Sequence, residues 1–276
     1  MENIDFAFLD SGTGGIPYML YLRKKLPDSY CAYLGDTAHF PYGQKSPEQI
    51  LECASEAVSL ILKKWNPKTV VIGCNTISVT ALAELRKCFP STPIVGTVPA
   101  IKLAASVSKN KRIGLLATNA TINHPYCKNL IDEFASDCTV FKRGDPELIS
   151  FVEKKLFTSS EKEKFDAISP ALNFFKENDC DTIILGCTHF THLAEEFKKL
   201  CGEKIQIVDS RDGVARQAIR VEEKCLEESA GKNLQPENLK TQSFAFFVTK
   251  ADSSEENEYK ILCKNLNIPW GGILSL

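Results

Sequence analysis

The chain has 276 residues, enough for two domains of ordinary size, and 43% of them are apolar, so it can bury a substantial core. Its 33 basic residues nearly balance 35 acidic ones, and a net charge of −2 argues against a binder of nucleic acid or anionic membranes. The eleven cysteines are too sparse for a disulfide scaffold, the start lacks a signal-peptide pattern, and no apolar run could cross a membrane. We therefore expect a cytoplasmic protein with reduced thiols.

In the first half, short β-rich runs alternate with helix-period stretches, the pattern of βαβ units around a parallel sheet. The predicted strands are residues 6–9, 30–34 and 69–72, and the first predicted helix is 16–25. A second helix begins after Ser46, with Pro47 at its first position and Gln49 completing a capping box. Its apolar face comprises Ile50, Ala54, Ala57, Val58 and Ile61, and it ends at Asn66 and Pro67.

The second half repeats this order of elements. We predict strands at 112–116 and 182–185, a helix at 121–134, and then a tail that packs back on the first half. The tail has a helix at 211–228, a polar loop at 231–239, a strand at 242–248 and a helix at 255–264. The predicted fold is α/β: two pseudo-symmetric doubly wound domains with mostly parallel sheets and the active site at their interface. The first comprises residues 1–97 and 209–276, the second 98–208.

One motif occurs in both halves, as TVVIGCNT at 69–76 and TIILGCTH at 182–189. Each copy places a cysteine, Cys74 or Cys187, just beyond the carboxyl end of a strand, which is where open α/β sheets bind ligands. We also pair the strand-end residues Asp10 and Thr118 as equivalents. Either cysteine alone would usually be a small buried thiol, but the repeat favours a functional pair.

The spacing of the cysteines limits their chemistry. Even the closest two, Cys180 and Cys187, form no CxxC pair, so metal binding and redox chemistry are disfavoured, and we expect neither metal nor cofactor. Two equivalent thiols suit a symmetric reaction, in which one removes a proton from a carbon atom and the other supplies a proton to its opposite face. A following helix start would favour the thiolate.

The carbanion formed in such a reaction needs hydrogen-bond donors to its carboxylate. Candidate groups stand at every predicted strand end: Ser11, Asn75, Thr76, Thr118 and Thr188. The SGTGG segment at 11–15 lacks the lysine of a phosphate-binding loop, and we interpret it as a glycine turn that lets substrate approach the backbone. The other nine cysteines, with His39, His124 and His192, are interpreted as structural.

Six segments, FLDSGTGG, GDTAHFPYG, VIGCNTIS, VGTVPA, LLATNAT and ILGCTHF, occur in this order over almost the full length. In this combination the chain resembles the cofactor-independent glutamate racemases of the aspartate and glutamate racemase superfamily. The resemblance implies interconversion of L-glutamate and D-glutamate for peptidoglycan synthesis, a small-molecule substrate and a homodimer. It assigns the D enantiomer to Cys74 and the L enantiomer to Cys187.

The resemblance also implies the site residues. Asp10 and Ser11 contact substrate, and Asp10 assists Cys74; Glu153 and His189 tune Cys187. The other substrate-binding positions are Tyr42, Gly43, Asn75, Thr76, Thr118, Thr121, Thr188 and His189. The chain departs from the family pattern at Ala120, where glycine is usual, and at Asp145, ahead of Glu153.

Several alternatives stay open at this point. Aspartate racemase and hydantoin racemase use the same chemistry on other substrates. A decarboxylase of the same superfamily usually keeps one of the two cysteines, so the presence of both argues against it. A noncatalytic amino-acid or peptidoglycan-precursor sensor would bind glutamate without exchanging its α proton.

Overall fold

The computed structural model describes residues 4–229 and 244–276. The strands are β1 (Phe6–Asp10), β2 (Cys31–Gly35), β3 (Thr69–Ile72), β4 (Ile94–Gly96), β5 (Arg112–Ala117), β6 (Thr139–Gly144), β7 (Thr182–Leu185), β8 (Gln206–Val208), β9 (Phe244–Val248) and β10 (Trp270–Ile273). The helices are α1 (Ile16–Lys25), α2 (Pro47–Trp65), α3 (Asn75–Cys88), α4 (Ile101–Val107), α5 (Asn119–Asn123), α6 (Pro125–Phe134), α7 (Pro146–Lys154), α8 (Glu161–Glu177), α9 (Ala194–Cys201), α10 (Arg211–Ser229) and α11 (Ser253–Leu266). Short 3₁₀ turns cover Thr37–His39, Tyr42–Gln44 and Thr188–Leu193.

The strands form two sheets, one in each half. The first has the order β10-β9-β2-β1-β3-β4 and the second β6-β5-β7-β8, and all the strand pairs described are parallel. The predicted α/β class with two mostly parallel sheets is confirmed. The exact domain boundaries at residues 97 and 208 stay a prediction.

Each sheet is covered on both faces, as a doubly wound fold requires. In β1, Ala7 and Leu9 pack with α2 and α3, whereas Phe6 and Phe8 pack with α1, α10 and α11 on the opposite face. In the second sheet, Leu116 packs with α7, α8 and α9, and Leu115 with α4 and α6. Strands buried on both faces explain why the central segments consist almost entirely of apolar residues.

The tail packs on the first half, as predicted. Strand β9 pairs with β2 along its whole length, and Ala218 of α10 joins the cluster that contains Phe6 and Phe8. The predicted polar loop at 231–239 and the first two residues of the predicted strand at 242–248 lie outside the described residues. None of the helices described here is both long and apolar enough to span a membrane.

The strands that the sequence did not predict are β4, β6, β8 and β10, which are the four sheet edges. Edge strands are short or polar, so they lack the apolar run of a central strand; β6 reads TVFKRG. Helices α4, α7, α8 and α9 were not predicted either. The helix predicted at 121–134 is wrong as one unit, because α5 ends before His124 and Pro125 begins α6.

The second helix illustrates what local sequence does specify. Ser46 accepts a hydrogen bond from the backbone N–H of Gln49, whose side chain bonds back to Ser46, so the capping box is present. The five predicted core positions of α2 are all buried. Asn66 ends the helix in the left-handed conformation.

Candidate active site

The two cysteines occupy equivalent places beyond their strands. Gly73 N donates to Leu9 O and Gly186 N donates to Leu116 O, each at 2.7 Å, and the next residue in each case is the cysteine. In both sheets this point lies where strand order reverses, between β1 and β3 and between β5 and β7. The duplication predicted from sequence therefore exists in the backbone.

The strand register corrects one pairing within this duplication. Leu9 stands opposite Ile72, and Leu116 opposite Leu185, so the counterpart of Asp10 is Ala117 and the counterpart of Thr118 is Ser11. The second half therefore has no carboxylate at the strand end equivalent to Asp10. Any carboxylate that serves Cys187 must come from another element.

One cavity of about 620 Å³ opens between the halves and contains both thiols. Its predicted lining residues are Asp10, Ser11, Tyr42, Gly43, Cys74, Asn75, Thr76, Thr118, Cys187, Thr188 and His189. Glu153 and Thr121 do not line it. Thr121 is fully buried behind Thr118, donates its backbone N–H to the Thr118 hydroxyl at 3.0 Å, and accepts a bond from that hydroxyl at 2.9 Å. It is placed to orient Thr118.

Cys74 has a carboxylate beside it. Asp10 is fully buried; its Oδ1 accepts from Ser11 N at 2.6 Å and its Oδ2 from the Thr188 hydroxyl at 2.8 Å. Burial raises the pKa of Asp10, although the nearby His189 charge and these hydrogen bonds oppose the rise. Burial first, and then the charge of Asp10, raise the pKa of Cys74 well above its usual value, so this side chain is a neutral thiol at pH 7.

The expected effect of the helix start on Cys74 is present but smaller. The backbone N–H of Ile77, in the first turn of α3, lowers the pKa of the Cys74 thiol. Burial outweighs it, because transferring a thiolate from water into an apolar interior costs more than one backbone donor returns. The helix start therefore favours the Cys74 thiolate, as predicted, but burial keeps the side chain neutral.

Cys187 is served by a histidine and a glutamate. His189 Nδ1 lies 3.7 Å from Cys187 Sγ, and its Nε2 lies 2.9 Å from Glu153 Oε2. Burial lowers the pKa of His189, but hydrogen bonds and charge attraction from Cys187 and Glu153 raise it well above 6.5 overall. Burial would likewise raise the pKa of Glu153, yet the bonds to His189 and Thr13 lower it. The ring is therefore a buried cation at neutral pH, donating to the carboxylate and toward sulfur.

The glycines at 11–15 have a different role from the predicted one, which was to let substrate approach the backbone. A Cβ on Gly12 would lie 2.7 Å from Glu153 Oε1, and one on Gly14 would lie 2.5 Å from His189 Nδ1. Neither glycine lines the cavity. They allow close approach of the Glu153–His189 pair, not of substrate. Thr13 between them donates from its backbone N–H and its hydroxyl to Glu153 Oε2, at 3.0 and 2.7 Å.

Two polar features of the cavity are available to a ligand. Both side-chain amide atoms of Asn75 are buried and without a hydrogen-bond partner among the described residues. Such an amide needs a partner, and a carboxylate or ammonium group would supply one. Thr76 of the first half and Thr118 of the second both line the cavity, and their hydroxyl oxygens lie 3.2 Å apart, so a hydrogen bond joins the two halves there.

Several lining residues were not predicted: Thr37, Phe40, Pro41, Gln44, Asn119, Pro146, Ile149, Ser150, Lys154 and Glu255. Lys154 follows Glu153 on α7, is exposed, and forms no ion pair within the described part of the chain. In the sequence, its position directly after Glu153 was the feature that could have identified Lys154 as a cavity residue.

Tyr42 lines the cavity, but its hydroxyl donates to Asp36, so that hydroxyl is already engaged. In the described ranges, no group of three His, Cys, Asp or Glu side chains is arranged to hold a metal ion.

Comparisons with known proteins identify the family. A family model described as Asp/Glu/Hydantoin racemase matches residues 20–218. The glutamate racemase of Treponema pallidum (strain Nichols) is 36% identical over 276 residues, covering 100% of this chain and 98% of that protein. The crystal structure of Escherichia coli glutamate racemase in complex with L-glutamate and the activator UDP-MurNAc-Ala matches with a TM-score of 0.81 and 30% identity, over 99% of this chain and 98% of that one.

A further solved structure holds a halogenated amino acid. The Thermus thermophilus glutamate racemase in complex with β-chloro-D-alanine matches with a TM-score of 0.70 and 25% identity, over 99% of this chain and 96% of that one. An allantoin racemase from Klebsiella pneumoniae, at 11% identity and a TM-score of 0.53, shares the fold alone.

Proposed function

The chain belongs to the Asp/Glu/hydantoin racemase family, and from that premise we propose that it interconverts L-glutamate and D-glutamate without a cofactor, by moving the Cα proton between Cys74 and Cys187. The observation that carries the proposal is the pair of buried thiols at equivalent strand ends of one cavity, each with its own carboxylate. Glutamate is named in the Treponema pallidum, Escherichia coli and Thermus thermophilus racemases above.

Cys74 is a neutral thiol that can donate a proton, and the sulfur of Cys187 lies 3.7 Å from Nδ1 of the His189 cation. We therefore propose that Cys187 is the base and Cys74 the acid when L-glutamate reacts. With L-glutamate bound, Cys187 removes the Cα proton and Cys74 donates its own to the opposite face, giving D-glutamate, a Cys187 thiol and a Cys74 thiolate. D-glutamate reacts from the opposite protonation states: Asp10 accepts the Cys74 proton and His189 donates a proton to Cys187, so that Cys74 removes the Cα proton and Cys187 supplies one to the opposite face. After either reaction the site returns to its starting protonation states by proton exchange with solvent.

The carbanion spreads its charge into the α-carboxylate, which becomes dianionic and requires donors. The unpaired amide of Asn75 is proposed to donate to the α-carboxylate, and the hydroxyls of Ser11, Thr76, Thr118 and Thr188 are proposed to complete the binding of the α-carboxylate and ammonium groups. Thr118 and Thr188 do so as acceptors, because their protons are donated to Thr121 and Asp10. Tyr42 and Gly43 are proposed to contact the substrate beside Thr118, next to which Gly43 lies. Lys154 provides a positive charge at the cavity for the side-chain carboxylate, which favours an acidic amino acid over a neutral hydantoin.

The test is a chiral assay of D-glutamate and D-aspartate formation by the purified chain with no pyridoxal phosphate, run in D₂O. We expect D-glutamate formation, deuterium at Cα of the product, and loss of racemization in Cys74→Ser and in Cys187→Ser. Cys88→Ser, which changes an exposed thiol, is the control. Full activity of either active-site variant would exclude the two-base mechanism.

The same assay separates the alternatives. Preferred turnover of aspartate would indicate an aspartate racemase, and activity confined to hydantoins a hydantoin racemase. Glutamate binding without deuterium exchange would indicate the noncatalytic sensor. Because enantiomers have equal free energy, kcat/KM must be equal in both directions, which provides an internal check on the measured rates.

The cellular context is also proposed from the family. The product D-glutamate would supply peptidoglycan synthesis in the cytoplasm, where the thiols stay reduced. Loss of viability on depletion of the protein, restored by D-glutamate in the medium, is the expected result. The homodimer is a further proposal, and light scattering of the purified chain measures it directly.

A further inference from the structure

A buried phenol in the first half braces the loop at residues 11–15. Tyr33 stands in the middle of β2 and is fully buried. Its hydroxyl donates to Gly12 O at 2.8 Å and accepts from Gly15 N at 2.9 Å, so one side chain satisfies backbone groups on both sides of Thr13. Its ring packs on Phe246 with the centroids 5.5 Å apart, independently of the hydroxyl.

The braced loop holds the carboxylate behind Cys187. Thr13 N and Oγ1 donate to Glu153, and a side chain of the second half, His192, places Nε2 3.0 Å from Thr13 O. The Gly12 Cα faces the same carboxylate. A continuous series of hydrogen bonds and short contacts therefore runs from the Tyr33 hydroxyl through the loop and Glu153 to His189 and the Cys187 sulfur.

We propose that Tyr33 is a positioning residue for proton transfer at Cys187, because its hydroxyl fixes the loop on which Thr13 holds Glu153. The inference rests on the two-thiol racemization proposed above. Tyr33 does not line the cavity and so does not contact substrate. Tyr33 acts through the loop at residues 11–15 of the first half and thereby affects Cys187 of the second half.

The experiment uses a substrate that reports each thiol separately. With 3-chloroglutamate, a thiolate removes the Cα proton, chloride leaves Cβ, and the enamine tautomerises and is hydrolysed to 2-oxoglutarate and ammonium. No second base is needed, so the L-configured compound reports Cys187 and the D-configured compound reports Cys74. Glutamate racemization by the unmodified chain is measured alongside and tests the proposed function on its own.

The variant is Tyr33→Phe, and Tyr21→Phe is the matched control, since it removes a tyrosine hydroxyl bond to Asp212 elsewhere in the first half. We expect Tyr33→Phe to slow elimination from the L-configured compound at least about tenfold more than from the D-configured one, with KM nearly unchanged. In Tyr33→Phe, the alkaline limb of the pH profile for elimination from the L-configured compound should also move to lower pH. A Glu153 carboxylate that is held less firmly raises the pKa of His189 less, so the ring loses its proton at lower pH.

Thermal unfolding of both variants establishes that they are folded. Equal slowing of the two elimination reactions, or rates equal to those of the unmodified chain, overturns the inference while leaving the racemase proposal intact. Absence of racemization in the unmodified chain overturns the proposed function itself.

Discussion

The Thr188 hydroxyl donates to Asp10 Oδ2 at 2.8 Å, so the residue next to Cys187 holds the carboxylate that stands beside Cys74. Thr13 does the reverse, because it belongs to the first half and holds Glu153, which serves Cys187 through His189. Each half thus orients the acid–base group of the other. The site is complete only when the two halves are packed together.

Replacing Asp10 tests the Cys74 side of this arrangement. Asp10→Asn removes the carboxylate that receives the Cys74 proton, and we expect elimination from D-configured 3-chloroglutamate to fall about 100-fold. Elimination from the L-configured compound should fall far less, because Cys187 retains His189 and Glu153. Asp28→Asn, at an exposed position, is the control. A larger loss on the L-configured compound would contradict the assignment of Asp10 to Cys74.

Replacing Glu153 tests the Cys187 side of this arrangement. Burial lowers the pKa of His189 and Glu153 helps to raise it, so in Glu153→Gln that pKa falls and the ring loses its proton at lower pH. The alkaline limb of kcat/KM should therefore shift downward, and the rate at pH 8 should drop about 100-fold. Glu147→Gln, exposed on the same helix, should leave the profile in place. An unchanged limb in Glu153→Gln would rule out the His189 cation as the active form.

The glycine loop can be tested with a single methyl group. In Gly14→Ala the added Cβ would lie 2.5 Å from His189 Nδ1 and 2.8 Å from Thr188 Oγ1, so His189 must move. We expect a folded protein with kcat at least about 100-fold lower, because proton transfer is sensitive to small displacements. Gly213→Ala, on α10 where a Cβ meets nothing within 4 Å, is the control. Normal activity in Gly14→Ala would show that His189 tolerates displacement.

Acid stability depends on the partly buried His192. Burial lowers its pKa from 6.5 to about 4, so between these values the unfolded chain binds a proton that the folded chain does not. Stability is therefore lost as pH falls from 6.5 to about 4, by roughly 3 kcal/mol at 1.36 kcal/mol per pKa unit. Denaturant unfolding at several pH values should show this extra loss in the unmodified chain and not in His192→Gln. His124→Asn, which keeps an acceptor at the start of α6, is the control. Parallel pH curves for His192→Gln and the unmodified chain would contradict the prediction.

Lys154 should affect binding without affecting chemistry. It is an exposed cation that lines the cavity, so we expect Lys154→Gln to raise KM for both glutamate enantiomers about fivefold while kcat stays constant. Added salt should raise the KM of the unmodified chain toward that of the variant, because it screens exposed charges. Lys155→Gln removes the neighbouring charge, which does not line this cavity, and should leave KM unchanged. A fall in kcat would instead place Lys154 in the reaction.

The central part of the fold was predictable because its determinants are local. Burial on both faces gives β3 and β7 their apolar runs, and Ser46 with Gln49 specifies the start of α2 within four residues. The edge strands were not predictable in this way, since β6 exposes one side to solvent and its residues follow no apolar pattern. Pro125 was a visible break, yet the apolar periodicity on both sides suggested one helix.

By itself, the sequence determined the α/β alternation, the duplicated motif and the two cysteines, because strand periodicity, capping and turn residues act over a few positions. Only the tertiary structure decided which carboxylate serves which thiol. Asp10 meets Thr188 across 178 residues and Thr13 meets Glu153 across 140, contacts that no local pattern encodes. They arise because parallel strands bring their carboxyl ends to one edge of each sheet, and the two edges face each other across the cavity.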